Sequence, residues 1–188
     1  MNGRIHHPPR VSIVYESMFG NTRRIAEAIG EGLRETVPVE VAAVHRLEPW
    51  PLEPDIAIVG APTHVHGLSR PSTRSEAARW AEDAERGLEL DTSARGIGMR
   101  EWLDDARLEV ELFAAFDTRA DMPEIFTGSA AASIDRRLRS EGIARLADPH
   151  SFLVDRENRL EEGEVERARA WGRELGAALA PYRGESEV

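Results

Sequence analysis

The chain has 188 residues, of which 24 are basic and 34 acidic, so its formal net charge is −10 at pH 7. All of the basic residues are arginine, and the sequence contains neither lysine nor cysteine. These two absences exclude a Schiff-base or P-loop lysine, a thiolate nucleophile, a cysteine-bound metal and a disulfide. The negative charge argues against a nucleic-acid or anionic-membrane partner.

Five short apolar runs predict the strands of the fold. In chain order they span residues 11–15, 39–44, 55–60, 112–116 and 151–154. Continuous apolar runs, without polar alternation, are typical of parallel strands that are buried on both faces. The polar stretch 117–128 that follows the fourth run is predicted to be an irregular loop.

Helical periodicity separates most of these runs. After a turn at residues 18–21, Ile25, Ala26, Ile29 and Leu33 fall on one face of a helix. Further helices are predicted at residues 72–86, 99–107, 129–140 and 162–179. The alternation of strands and helices indicates an α/β fold with a parallel sheet covered on both sides.

The length fits a single domain, which we predict over residues 11–180. A flexible N-terminal arm is expected at residues 1–10, a C-terminal tail at 181–188, and an extended proline-rich connection at 48–54. The arm lacks the apolar core of a signal peptide, and no apolar run approaches the roughly 20 residues that span a bilayer. We therefore expect a cytoplasmic protein that does not associate with membranes.

The segment 15–22, with the sequence YESMFGNT, joins the first strand to the first helix. Ser17, Asn21 and Thr22 offer side-chain donors, and Gly20 permits a sharp turn towards the positive end of the helix dipole. A phosphate site and an ordinary N-cap made by Asn21 or Thr22 both fit this loop. The Walker A and Rossmann glycine patterns are absent from it.

Residues 11–33 (VSIVYESMFGNTRRIAEAIGEGL) and 55–71 (DIAIVGAPTHVHGLSRP) together resemble the flavodoxin-like family, whose members bind flavin mononucleotide (FMN). The resemblance implies a flavodoxin-like, three-layer, doubly wound α/β fold with a five-stranded parallel sheet in the order 2-1-3-4-5. It also implies that the cofactor lies at the carboxyl ends of the strands, where the strand order reverses.

The resemblance assigns three groups of residues to FMN. The phosphate loop would consist of Ser17, Met18, Phe19, Gly20, Asn21 and Thr22. The loop beside the flavin ring would consist of Pro62, Thr63, His64, Val65, His66 and Gly67. The third flavin loop would begin with Asp117, Thr118 and Arg119.

The aromatic pair that stacks on the flavin ring in typical flavodoxins has no counterpart in these loops. Residues 61–71 hold no aromatic side chain other than histidine, and residues 117–128 hold only Phe126. We assign Trp80, Trp102 and Trp171 to helix packing rather than to cofactor contact. His64 and His66 are assigned to the flavin loop, and no metal site is predicted.

The resemblance implies electron transfer through FMN, with no catalytic residue supplied by the chain, and favours a redox carrier over a dedicated enzyme. The alternatives are an FMN-dependent NAD(P)H:quinone-type oxidoreductase and a flavin-less regulatory or structural domain. The partner of a redox carrier would be a redox protein, and the partners of the oxidoreductase would be NAD(P)H and a quinone. Arg70, Arg74 and Arg119 fit either an anion-binding role or surface ion pairs. The sequence leaves open whether the protein is a monomer or a homo-oligomer.

Overall fold

A computed structural model describes residues 9–46, 54–105 and 108–182. The predicted connection at 48–54 lies outside them except for Pro54, as does most of the predicted arm and tail. The strands and helices are β1 Val11–Tyr15, α1 Asn21–Arg34, β2 Val39–Ala43, β3 Ile56–Pro62, α2 Pro71–Glu82, α3 Met99–Asp105, β4 Leu112–Ala120, α4 Glu124–Thr127, α5 Ala130–Ser140, β5 Ala144–Arg145, β6 His150–Val154 and α6 Glu164–Ala178.

The strands form one parallel sheet in the order β2-β1-β3-β4, which confirms the predicted topology. The fifth position is divided between two short strands that both pair with β4. β5 lies opposite Leu112 and Phe113, whereas β6 lies opposite residues 116–120. Between them, residues 146–149 lie opposite only residues 114 and 115 of β4, so the pairing register shifts by two, and Pro149, which has no N–H to donate, immediately precedes β6.

β4 is longer than the apolar run predicts. It continues through Asp117, Thr118 and Arg119 to Ala120, because the backbone there pairs with β6 on one side and, as far as Thr118, with β3 on the other. The prediction of an irregular loop over residues 117–128 is therefore wrong for residues 117–120, which extend β4, and for residues 124–127, which form α4. Polar side chains end the apolar pattern, but the neighbouring strands still accept and donate the backbone hydrogen bonds of these residues.

The sheet is covered on both faces by apolar side chains. On one face, α1 and α6 pack against strand residues that include Ile13, Ile58 and Phe116. On the other face, α3 and α5 pack against residues that include Val59 and Phe113. Trp171 and Trp102 belong to these two cores, as predicted. Within the described ranges, no helix combines the length and the apolar composition needed to cross a bilayer.

The helix α2 differs from α1, α3, α5 and α6 because it has a single buried residue, Ala77. It begins after Arg70, beside the segment that follows β3, and much of its surface is exposed. Its side chains are consequently free to line cavities at the edge of the sheet.

Candidate functional site

The carboxyl ends of β1, β3 and β4 meet at the point where the strand order reverses. From β1 the chain moves outwards to β2 and then returns to β3 on the other side of β1. In open α/β sheets this reversal leaves a crevice in which ligands bind. A cavity of about 340 Å³ lies there, and we call it the switch-point cleft. It is lined by Met18, Phe19, Asn21, Thr22, Pro62, Thr63, His64, Val65, Thr73, Glu76, Trp80, Thr118, Arg119, Ala120, Val154, Asp155, Arg156 and Asn158.

The loop after β1 presents the N-terminus of α1 to this region. Gly20 occupies the N-cap position with φ +88°, and its N–H donates to Ser17 Oγ at 3.1 Å. No described side chain caps the helix. The N–H groups of its first turn therefore lack an intrahelical acceptor, which makes the helix end a favourable place for an anion.

Asn21 and Thr22 do not act as ordinary N-caps. The Asn21 side chain donates to the carbonyl of Asn158 at 2.7 Å. The Thr22 hydroxyl bonds the Thr118 hydroxyl at 2.8 Å. These two contacts join the first loop to β4 and to the turn after β6, so three separate parts of the chain meet around the cleft.

Asp91 fixes the loop after β1 from behind. Its N–H donates to the carbonyl of Met18 at 2.8 Å, and its buried carboxylate accepts from Arg23 Nε at 2.7 Å and from the Ser93 N–H at 2.8 Å. Burial alone would raise the pKa of Asp91. The hydrogen bonds from Ser93 and Arg23 outweigh that effect, so its pKa lies below the ordinary value. The loop is thus held by an ionised carboxylate.

Glu16 links the loop after β1 to the segment beyond β3. Ser69 Oγ donates to Glu16 Oε1 at 2.5 Å, and the Met99 N–H donates to Oε2 at 2.7 Å. Burial raises the pKa of Glu16 despite these hydrogen bonds. Arg74 donates to Ser69 at 2.9 Å and pairs with Glu101 at 3.0 Å. Arg74 therefore acts in a structural ion pair, which is one of the two roles open to it from the sequence.

The loop after β3 ends in a tight turn at residues 64–67. The N–H of His64 donates to the Gly67 carbonyl at 2.8 Å, and the Gly67 N–H donates back at 3.0 Å. The two central residues, Val65 and His66, have φ values of +40° and +70°. Residues other than glycine and asparagine are uncommon at positive φ. Holding such a residue there costs about 1–3 kcal/mol.

Asp117 lies behind the switch-point cleft rather than on its wall. It is fully buried, and its Oδ2 accepts from Thr63 Oγ1 at 3.0 Å, Ser129 Oγ at 2.7 Å and the Ala131 N–H at 3.0 Å. These bonds tie the loop after β3 to the start of α5. The side chain therefore has a positioning role in the described structure, and a direct contact with a ligand stays a prediction.

Two buried donors on the cleft-lining residues have no hydrogen-bond partner among the described residues. They are Arg119 Nε and Asn158 Nδ2. Arg119 uses another nitrogen, Nη1, to bond the carbonyl of Met122 at 2.6 Å, which fixes its position. Buried polar groups are almost always paired, so these two atoms are exceptions among the residues that line the cleft. The uncapped first turn of α1 fits an anionic group such as a phosphate.

Two aromatic side chains, Phe19 and Trp80, line the switch-point cleft. Thr73, Glu76 and Trp80 are spaced by three and four residues, which puts them on one face of α2. Trp80 is 39% exposed and lies under the guanidinium of Arg86 at 5.2 Å. Phe126, which is 65% exposed, does not line the cleft. Two aromatic side chains therefore border the cleft, Phe19 from the loop after β1 and Trp80 from a helix that the sequence predicts only to pack.

The structure brings most of the predicted site residues to one place. Ten line the cleft directly: Met18, Phe19, Asn21, Thr22, Pro62, Thr63, His64, Val65, Thr118 and Arg119. Ser17 and Gly20 shape the first loop, whereas His66 and Gly67 line a neighbouring cavity. Sequence reasoning misses Asp91, Asn158 and Trp80, and only Trp80 carries a signal in the sequence, through its helical spacing with Thr73 and Glu76.

Comparison with known proteins gives a consistent result. A model of the flavodoxin family matches residues 13–171. No curated protein was found to match the chain. Among solved structures, oxidised flavodoxin 2 from Bacillus cereus is similar at a TM-score of 0.59 and 21% identity, with 89% of this chain and 97% of that chain covered. A flavodoxin from the domain Archaea is similar at a TM-score of 0.56 and 19% identity, covering 89% and 96%.

Rubredoxin oxygen:oxidoreductase from Desulfovibrio gigas is also similar, at a TM-score of 0.53 and 20% identity. The similarity covers 93% of this chain but only 38% of that protein. At these identities the solved structures establish the fold, and the family match rests on residues 13–171. The chain belongs to the flavodoxin family.

Proposed function

We propose that the chain binds FMN non-covalently in the switch-point cleft and transfers electrons to a redox partner protein. The observation that carries the proposal is the uncapped first turn of α1 at the edge of a cavity where the strand order reverses. Asn21 and Thr22 of that turn line the cleft, their backbone N–H groups have no intrahelical acceptor, and Arg119 lines the same cavity. A phosphate-bearing ligand would satisfy these N–H groups, and the volume of about 340 Å³ falls in the range of small-molecule sites.

The residues divide into those that would hold the phosphate and those that would position the ring. Ser17, Asn21, Thr22 and the amides of Met18 and Phe19 would hold the phosphate, with Gly20 shaping the loop through its bond to Ser17, in keeping with the absence of lysine. The segment from Pro62 to Gly67 would border the ring. Phe19 and Trp80 would supply apolar surface beside it. FMN supplies the redox chemistry, while these residues bind it, orient it and limit its exposure to water.

A carrier role is supported by the net charge of −10, which favours docking to a basic redox partner. The alternative is an FMN-dependent NAD(P)H:quinone-type oxidoreductase. The neighbouring cavity that His66 and Gly67 line also contains several arginines. It favours this alternative, because a reductase needs a second site for an anionic cosubstrate. Turnover of NAD(P)H with a quinone would support the enzyme, whereas reduction only by a partner protein would support the carrier. The cytoplasmic location stays a prediction.

FMN titration tests the proposal directly. Binding should quench flavin fluorescence, and Thr22→Ala should weaken the affinity by about tenfold, because it removes a hydroxyl at the phosphate loop. Thr36→Ala is the matched control. Thr36 lies just beyond the other end of α1, where its hydroxyl donates to the Leu33 carbonyl at 3.0 Å. A wild-type protein that ignores added FMN would overturn the proposal and favour a flavin-less domain.

A further inference from the structure

A second cavity, of about 520 Å³, lies on the other side of the 64–67 turn. We call it the arginine cavity. Its walls come from that turn and from the starts or sides of α2, α3 and α5. It is lined by His64, Val65, His66, Gly67, Leu68, Arg70, Ser72, Thr73, Arg100, Leu103, Asp104, Ser133, Arg136 and Arg137.

The charge of this cavity is opposite to that of the whole chain. Among the residues that the structure describes, four arginines line it and Asp104 is the one acidic lining residue. The full sequence has ten more acidic than basic residues, by the count of 34 against 24. An arginine cannot lose its proton at any physiological pH, so the local positive charge is permanent.

Most of this charge is not neutralised by carboxylates. Arg70 and Arg136 have no ion pair with any described residue. Arg100 donates to the backbone carbonyls of Leu68 and Ser69, at 2.7 and 3.0 Å, and so is positioned without losing its charge. Of these four arginines, Arg137 alone forms ion pairs with described residues, with Asp104 at 3.0 Å and Glu141 at 2.7 Å. Three guanidinium groups are therefore left for a ligand.

The N-terminus of α2 adds a second source of positive potential. This helix of 12 residues starts at Pro71, and Ser72 and Thr73 in its first turn line the cavity. The first N–H to find an intrahelical acceptor is that of Arg74, which donates to the Arg70 carbonyl at 2.9 Å. The amides of Ser72 and Thr73 precede it and have no intrahelical acceptor. The positive end of the helix and the guanidinium groups thus act on the same space.

We propose that the arginine cavity binds a small molecule carrying a pyrophosphate unit. Several guanidinium forks suit several phosphate oxygens, since each fork can make two parallel hydrogen bonds. A volume of about 520 Å³ exceeds what a single phosphate fills. A nucleic acid is disfavoured because the rest of the chain is acidic and would repel a long polyanion. This proposal does not depend on FMN binding, because none of the four arginines of this cavity lines the switch-point cleft.

Calorimetric titration with inorganic pyrophosphate and with ADP tests this assignment. It uses the full chain at low salt, with and without saturating FMN. We expect saturable binding that weakens as salt is added. Equal affinity for the two probes would indicate that the pyrophosphate unit is sufficient, and tighter ADP binding would indicate a nucleotide. Inorganic phosphate should bind more weakly than either.

The decisive variant is the double substitution Arg70→Gln/Arg136→Gln, because neither side chain makes an ion pair with a described residue that its removal would break. It should weaken pyrophosphate binding by about tenfold or more. The control is Arg79→Gln/Arg95→Gln, which removes the same charge at two exposed arginines outside both cavities and should change the affinity less than about twofold.

Thr22→Val separates the arginine cavity from the phosphate loop, which could also attract an anion. Pyrophosphate binding should survive this substitution. No saturable binding to the wild type, or equal losses in the two double variants, would overturn the proposal. Loss of binding in Thr22→Val with retention in Arg70→Gln/Arg136→Gln would assign the anion to the phosphate loop and would likewise overturn it.

Discussion

The two cavities on either side of the 64–67 turn use different chemistry at the same edge of the sheet. The switch-point cleft is electrically balanced, since its charged lining residues are Glu76, Asp155, Arg119 and Arg156. Its donors are chiefly hydroxyls, amides and the first turn of α1. The arginine cavity instead carries four guanidinium groups against one carboxylate.

The difference means that the cleft mainly positions an anionic ligand, whereas the arginine cavity mainly attracts one. Backbone amides have fixed directions and hydroxyls carry no net charge, so they select the geometry of one phosphate more than they attract charge at a distance. Guanidinium groups in an open cavity attract any suitable anion and are more sensitive to salt. The comparison leads us to expect a salt-tolerant ligand in the cleft and a salt-sensitive ligand in the arginine cavity.

The largest effect should come from a substitution that disturbs the wall shared by both cavities. Gly128 has φ +68°, and a Cβ there would lie 2.4 Å from the His66 Cα. Gly128→Ala should therefore lower the free energy of unfolding by about 3 kcal/mol and weaken the binding of both FMN and pyrophosphate. Urea unfolding and the two titrations measure these effects.

The control for this substitution is Gly142→Ala. Gly142 has φ +87°, but a Cβ added there would meet nothing within 4 Å, so only the backbone cost of about 1–2 kcal/mol applies. Equal losses of unfolding free energy in the two variants would show that the contact with the 64–67 turn contributes nothing to the effect of Gly128→Ala.

A smaller and one-sided effect is expected for Asp91→Asn. It removes the charge that binds Arg23, whose side chain is 43% exposed, and should cost about 2 kcal/mol of unfolding free energy. FMN affinity should fall because the first loop loses its support, while pyrophosphate affinity should not change. A matching loss of pyrophosphate binding would contradict the separation of the two cavities.

The stabilising effect of Asp91 should also depend on pH. Because its pKa is lower in the folded chain, its contribution is complete above the ordinary value of 3.8 and is lost as the pH falls through the lowered pKa. The difference in unfolding free energy between wild type and Asp91→Asn should therefore shrink on acidification. Urea titrations at a series of acidic pH values measure it.

The smallest effect should follow from Trp80→Ala. Loss of an aromatic contact beside the ring should weaken FMN binding by about fivefold and leave pyrophosphate binding unchanged. Phe126→Ala serves as the control, because Phe126 is an exposed aromatic that lines neither cavity. If both variants bind FMN like the wild type, Trp80 is not part of the flavin site.

The sequence predicts the topology well because strands and helices leave local patterns. The apolar runs and the helical spacing of Ile25, Ile29 and Leu33 depend only on nearby residues. The predicted end of β4 lies four residues early, because pairing with β6 is not visible in the polar residues themselves. The loops after β1 and β3 can be located because each directly follows a recognisable strand.

The parts of the site that sequence reasoning misses depend on contacts between distant segments. Asp91 holds Arg23 across 68 positions, and Asn158 accepts from Asn21 across 137 positions. Nothing in the local sequence signals either contact. The arginine cavity is similar, because Arg70 stands out beside a loop whereas Arg100 and Arg136 lie on separate helices that only the fold brings together.

The 64–67 turn, with its two residues at positive φ, is a wall of both cavities. Thermodynamic linkage follows from this shared wall. If the ligand in one cavity binds one conformation of the turn more tightly, it changes the affinity of the other cavity for its own ligand. The second ligand then changes the affinity for the first by the same factor. The turn would then couple the occupancy of the two cavities without any movement of the sheet or of the helices that pack on it.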